Sequence, residues 1–201
     1  MLTTVSGAVT QPGVYEIEAG SNVGDVLWMA GADPAAQAVL LGGYFGTWHE
    51  IGEVTSLPFT ASALRRVGGA PGAAVMYVLP PDACGLAEAG RILRYLASES
   101  AQQCGPCMFG LPAIADDLGQ LAAARPEGDP LGRLQRRFGQ IAGRGACRHP
   151  DGAVRMAASA LRAFGADADA HARRRACLVT PGARQHAPTM PVPRPTEEGW
   201  R

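Results

Sequence analysis

Cys104-Gly105-Pro106-Cys107 places two thiols about one helical turn apart. That spacing serves either disulfide exchange, by lowering one thiol pKa, or the gripping of a metal or an iron-sulfur group by both sulfurs. Dithiol exchange motifs follow a strand inside a βαβ unit and usually carry an aromatic before the first cysteine. Here a helical pattern ends near Glu99-Ser100, and the preceding residue is Gln103. The second reading takes in Cys147, which lies in Gly143-Arg144-Gly145-Ala146-Cys147-Arg148-His149-Pro150-Asp151, directly before another helical pattern. Both cysteine sites therefore fall in turns between helices, where thiolates can converge on one point and helix N-terminal amides offset their charge. Two other readings stay open on the residues alone. His149 would complete a Cys3His zinc set, and the cysteines could equally be inert packing in a redox-silent bundle. Cys84 reads as a small apolar core residue at a helix start. Cys177, after Arg173-Arg174-Arg175, reads as having no chemical role, and His49, His171 and His186 read as surface residues.

Five cysteines in 201 residues are too few and too unevenly spaced for a disulfide scaffold. Eighteen basic residues, all Arg, balance eighteen acidic ones, so there is no electrostatic case for nucleic acid as a partner. The longest apolar stretches, such as residues 73–81, fall short of the ~20 needed to span a bilayer, and the first residues lack a charged start and an apolar signal core. A cytoplasmic protein that does not span a membrane is expected.

The elements that must position the thiols fall into two groups. Residues 4–9 and 14–17 alternate apolar and polar around a turn at Gln11-Pro12-Gly13, a hairpin pattern. Ser21 or Asn22 can cap a helix with Val23, Val26, Leu27 and Ala30 on one face. The run at residues 38–41 reads as a buried strand, and residues 73–79 read as a central strand stopped by Pro80-Pro81. The order is that of a β-grasp, a ubiquitin-like fold. Gly42-Gly43 reads as a turn needing positive φ, and Trp48 and His49 as part of a loop. From Asp82 the period becomes helical, with stripes at Leu86, Ala89, Ile92, Leu93 and Leu96; at Leu111, Ile114, Leu118 and Leu121; at Leu131, Leu134, Phe138 and Ile141; and at Val154, Ala157, Leu161 and Phe164. The expected architecture is α+β: a β-grasp domain over residues 1–81, a four-helix bundle over 82–177, and a disordered Pro-rich tail over 178–201.

These residues resemble the family of flavoprotein F subunits of respiratory NADH:quinone oxidoreductase (complex I), including its relatives in NAD-linked hydrogenases and formate dehydrogenases. The family signature E-S-C-G-x-C-x-P-C-R, laid on this chain without a gap, meets Glu99-Ser100, Cys104, Pro106 and Cys107, with Gly110 on a glycine common after it. The family's fourth cysteine, before a G-D-G-A-A-like helix start, matches Cys147 with Asp151-Gly152-Ala153. Val5-Ser6-Gly7-Ala8-Val9 through Pro12-Gly13-Val14-Tyr15-Glu16, together with Gly42-Gly43, is similar to the family's β-grasp domain, called SLBB.

The resemblance implies that Cys104, Cys107 and Cys147 hold an iron-sulfur cluster, 4Fe-4S or a 3Fe-4S form, relaying electrons from a flavin to a ferredoxin-like or quinone-linked acceptor. Ala101 stands where the family has its first cysteine, and alanine cannot ligate iron. His149, Cys84 and Cys177 are candidate substitutes for the fourth ligand. No glycine-rich G-R-G-G-A-G-F-type loop for FMN and NADH occurs in the chain. This polypeptide alone is therefore not expected to oxidise NADH: either it is the C-terminal half of a longer protein, or the flavin domain comes from another chain. Expected partners are that flavin-binding domain or subunit and a ferredoxin-like or other iron-sulfur carrier. The alternative is a cluster-less docking module for a flavin subunit.

Overall fold

The computed structural model describes residues 1–177 and Met190; the tail expected over 178–201 otherwise lies outside the described residues. Five strands form one sheet: β1 (Leu2–Gly7), β2 (Gly13–Glu16), β3 (Ala38–Leu41), β4 (Thr47–Glu50) and β5 (Val75–Val78). Their order is β2-β1-β5-β3-β4. β1 runs parallel to β5, Thr4 opposite Val75, while the other neighbours pair antiparallel. Two hairpins joined by a central parallel pair, with α1 (Val23–Met29) crossing between them, is the β-grasp arrangement anticipated above. Gly42 and Gly43 do turn the chain with φ of +99° and +83°, a conformation that side chains with a Cβ resist.

β4 replaces the loop expected around Trp48 and His49. Its short Thr-Trp-His-Glu run carries too little alternation to read as a strand, but Trp48 and His49 are both fully buried in it. The edge of the sheet at β4 is covered rather than open, because the Trp48 backbone N–H donates to Ser159 Oγ at 2.9 Å. Two short helices, α2 (Ile51–Val54) and α3 (Ala61–Arg65), fill the connection to β5; the Thr60 hydroxyl caps α3 by accepting from the Ala63 N–H.

The remaining described residues form α4 (Gly85–Ser98), a π-helical turn (Pro106–Gly110), α5 (Leu111–Ala122), α6 (Pro130–Ile141), α7 (His149–Ala163) and α8 (Gly165–Ala172). The four apolar stripes fall on α4 to α7, so the helical part has one helix more than the four-helix bundle expected. α8 escaped notice because its buried positions include Ala168, Ala170, Asp167 and His171, which make no stripe of large apolar residues. The π turn has a local cause. Pro112 has no N–H to give, and its ring needs room beside the Met108 carbonyl, so the helix widens there and the Leu111 N–H reaches back to Pro106 O.

Both faces of the sheet are covered. Val5, Val39, Leu41, Met76 and Val78 pack with Val23, Val26, Leu27, Phe59 and Leu64 on one side. Ala38, Leu40, Trp48, Tyr77 and Leu79 pack on the other, in the core that includes Leu86, Ile92, Leu93, Leu118 and Phe164. The Trp48 ring meets Phe164 edge-on at 5.3 Å between centroids, and the Phe164 ring lies over Gly85, where a Cβ would come within 2.1 Å of it.

Candidate metal centre

α4 ends at Ser98, and Glu99 caps it through an N–H to Tyr95 O. The chain then runs exposed through Ala101, Gln102 (φ +53°) and Gln103 before turning into the widened helical start that carries the two thiols. The Cys104 carbonyl accepts from the N–H groups of Cys107 (3.0 Å) and Met108 (2.9 Å), which closes the Cys-x-x-Cys turn. Cys104 is half-buried and Cys107 buried, while Cys147 is exposed in the loop before α7.

Hydrogen bonds bring the two cysteine segments together. The Ala146 N–H donates to Cys104 Sγ, as does the Cys107 N–H, and the Cys104 thiol is held below its ordinary pKa by these amides. The Cys107 thiol is pushed up, first by burial, then by its hydrogen bond to the Cys104 sulfur and by the charges of Cys104 and Cys147; the Ser100 hydroxyl opposes this by bonding to it. Asp151, on the first turn of α7, anchors the loop that presents Cys147. Its Oδ1 accepts from the Gly143 N–H at 2.7 Å and its Oδ2 from Arg148 Nη1 at 2.9 Å, and these donors keep the carboxyl below its ordinary range.

The Cys104–Cys107 turn thus lies against the loop that carries Cys147, with amides aimed at the Cys104 sulfur. Such a set of thiols suits an iron-sulfur group on three of its corners. Ala101 offers nothing to the fourth, its carbonyl accepting instead from Gln103 Nε2 at 3.2 Å. The candidate substitutes are placed elsewhere. His149 Nε2 bonds to Leu96 O at 2.7 Å, and its ring packs edge-on against Phe45. Cys84 is the N-cap of α4, whose 14 residues span about 21 Å, so it lies at the far end from Cys104.

Cys84 is not alone there. Among the described residues, the ligand atoms of Cys84, His171 and Cys177 all lie within 4.8 Å of one another, and all three residues are buried. Cys104, Cys107, Cys147 and His149, the zinc set considered above, are not gathered so tightly. His171 and His49, expected at the surface, are fully buried, and Cys177 has close polar partners where none was expected. His171 Nε2 is 3.1 Å from Cys177 Sγ, and its Nδ1 is 3.1 Å from Leu121 O. Hydrogen bonds from Cys84 and from His171 lower the Cys177 thiol to about 5, while the Cys177 sulfur raises His171. Cys84 is pushed up, first because its thiol donates to Cys177 and then by burial. His171 escaped reading because it sits in an alanine-rich helix, and the two cysteines are remote in sequence.

A β-grasp sheet backed by helices that present a cysteine set defines the class: an SLBB-type domain joined to an iron-sulfur binding region. Residues 2–41 match the SLBB domain model, and residues 87–171 match that of the NADH-ubiquinone oxidoreductase-F iron-sulfur binding region. The chain is 28% identical over 180 residues to the F 2 subunit of NADH-quinone oxidoreductase in Rhizobium meliloti (strain 1021), covering 88% of this chain and 42% of that protein. It is 25% identical over 168 residues to the F subunit of NADH-quinone oxidoreductase in Buchnera aphidicola subsp. Schizaphis graminum (strain Sg), covering 79% and 36%. Among solved structures, an NAD+-reducing NiFe-hydrogenase in its H2-reduced state superposes with a TM-score of 0.76 at 26% identity, over 85% of this chain and 29% of that one. The chain is thus similar to NADH-quinone oxidoreductase F subunits over two of their regions, the SLBB domain and the iron-sulfur binding region. It spans less than half the length of the curated relatives it matches. Among the described residues, no helix is long and apolar enough to cross a membrane.

Proposed function

We propose that this chain is an electron-transfer module in which Cys104, Cys107 and Cys147 hold an iron-sulfur cluster, 4Fe-4S or its three-iron form. One observation supports the reading: the Ala146 N–H, from the loop that bears Cys147, donates to Cys104 Sγ beside the Cys107 N–H, and Cys147 acts on Cys107 through its charge. When bound, such a cluster takes up and releases single electrons. The protein's own residues supply position and environment. The amides of Ala146 and Cys107 favour the thiolate form of Cys104, burial around Cys107 limits water, and Asp151 fixes the loop bearing Cys147.

In this reading residues 1–81 are the SLBB domain and residues 82–177 the cluster domain. The electron donor is a flavin with its nicotinamide substrate on a separate domain or chain, and the acceptor is a ferredoxin-like or quinone-linked carrier in the cytoplasm. Ala101 favours one other reading, a docking module for the flavin-bearing part that carries no cluster, because a thiolate ligand is missing there.

Anaerobic reconstitution with iron and sulfide, followed by metal analysis and EPR before and after dithionite, separates the two. Iron and sulfide in the folded chain, with an EPR signal lost on Cys104→Ser or Cys147→Ser, is the expected result, and the spectrum distinguishes three-iron from four-iron forms. A folded chain that takes up no iron and gives no signal would leave the docking role.

A further inference from the structure

At the opposite end of α4 from the thiols just described, Cys84 caps the helix start, His171 stands on α8, and Cys177 follows it. We infer that Cys84, His171 and Cys177 form a second, mononuclear metal site for a divalent ion that favours sulfur and imidazole, zinc above all. The inference does not depend on the iron-sulfur reading.

Geometry and chemistry both point to it. Zinc bonds of about 2.3 Å to sulfur and 2.0–2.1 Å to nitrogen, set tetrahedrally, put ligand atoms roughly 3.5–3.8 Å apart. The three atoms here lie within 4.8 Å of one another, with His171 Nε2 3.1 Å from Cys177 Sγ, so the ion needs only small side-chain shifts. The imidazole is oriented as metal-bound histidines are: a backbone carbonyl, Leu121 O, takes the Nδ1 proton at 3.1 Å and turns Nε2 toward the sulfurs. Two thiolates, a neutral imidazole and a dication sum to zero charge, the condition under which burial costs least. All three residues are buried, as suits a structural site. Binding releases the thiol protons and forms two metal–sulfur bonds, with no change of oxidation state. The fourth position falls to water or to Asp167, a buried carboxyl whose charge acts on both His171 and Cys177.

The ion would tie the start of α4 to the segment after α8, closing the helical part at the end remote from Cys104. Cysteine pairs in reducing compartments hold metals more often than disulfides, and the histidine between these two sulfurs has no part in a disulfide.

The test uses the full chain with Cys104, Cys107 and Cys147 replaced by Ser, titrated anaerobically with Co(II). The expected result is a single equivalent bound, with thiolate-to-cobalt charge transfer and tetrahedral d–d absorption that disappear in Cys84→Ser and in His171→Asn. Because that background is exposed to misfolding, the native chain produced with zinc gives an independent reading. X-ray absorption at the zinc edge should show two sulfur neighbours and imidazole, and the zinc should be lost in Cys177→Ser. Three sulfur neighbours would place the zinc at the other cysteines and overturn the assignment. So would equal zinc in native chain and Cys177→Ser, or a Cys84–Cys177 disulfide whose reduction restores no Co(II) uptake.

Discussion

His49 is a histidine that the fold keeps neutral. It is fully buried in β4, its Nε2 is 2.7 Å from the Thr47 hydroxyl, and burial, then the Arg162 guanidinium, lower its pKa to about 4. An unfolded histidine takes up a proton near its ordinary value of about 6.5. Between about pH 6.5 and 4 the unfolded chain therefore binds a proton that the folded chain refuses, and stability falls as pH falls through that window, by up to about 3 kcal/mol. His49→Gln should flatten this dependence. Urea unfolding of native and variant chains at neutral pH and near pH 4.5 checks it, and equal losses in both would put the acid sensitivity elsewhere. At this scale the sequence was informative where spacing is local. The Cys104–Cys107 turn and the helix start after Cys147 are short-range patterns. The burial of His49 and the meeting of Cys84 with Cys177 arise from chain folding between distant residues, which no window along the sequence reports.

α5 and α6 are joined by more than apolar contact. Asp117, 3% exposed, accepts from Arg133 Nε at 3.1 Å and from Arg137 Nη1, and the same Arg137 atom also donates to Ala113 O at 2.8 Å. α6 begins with Asp129 capping at the Gly132 N–H and Pro130 in the first turn. Asp117→Ala removes a buried acceptor from two guanidinium groups that can still reach solvent, so the loss should be about 2–3 kcal/mol, within the range for hydrogen bonds to charged groups. Chemical denaturation reads this directly, and a loss below about 0.5 kcal/mol would mean the pair holds little. α4 to α7 could be read from their stripes because large apolar residues recur every three or four positions. α8 and β4 could not: α8 buries small and polar side chains, and β4 is four residues long with three of them buried.

The sheet and the helices share a core, because Leu40, Trp48, Tyr77 and Leu79 belong to the same packed cluster as α4, α5 and α7. A boundary drawn at Pro80-Pro81 marks a change of period in the sequence, but packing runs across it. Calorimetry should therefore show one cooperative transition. Gly85→Ala should lower that transition as a unit by about 1–3 kcal/mol, the usual cost of overpacking, since the added methyl group strikes the Phe164 ring that also contacts Trp48. Two separated transitions, with only the helical one shifted by Gly85→Ala, would show the halves to be independent. The β-grasp order itself was legible from strand, turn and helix signals. The closure of its second face was not, since it depends on which helices return to it.

Because β3 and β5 are buried on both faces, the parity of residue number decides which half of the molecule feels a substitution there. Ala38, Leu40, Tyr77 and Leu79 face the cysteine-bearing helices, and Val39, Leu41, Met76 and Val78 face α1. Each half can drift against its own set while the backbone between them stays fixed. A one-residue register shift of β3 would exchange that strand's two faces, handing Ala38 and Leu40 to the side of α1 and Val39 and Leu41 to the side of the cysteine-bearing helices.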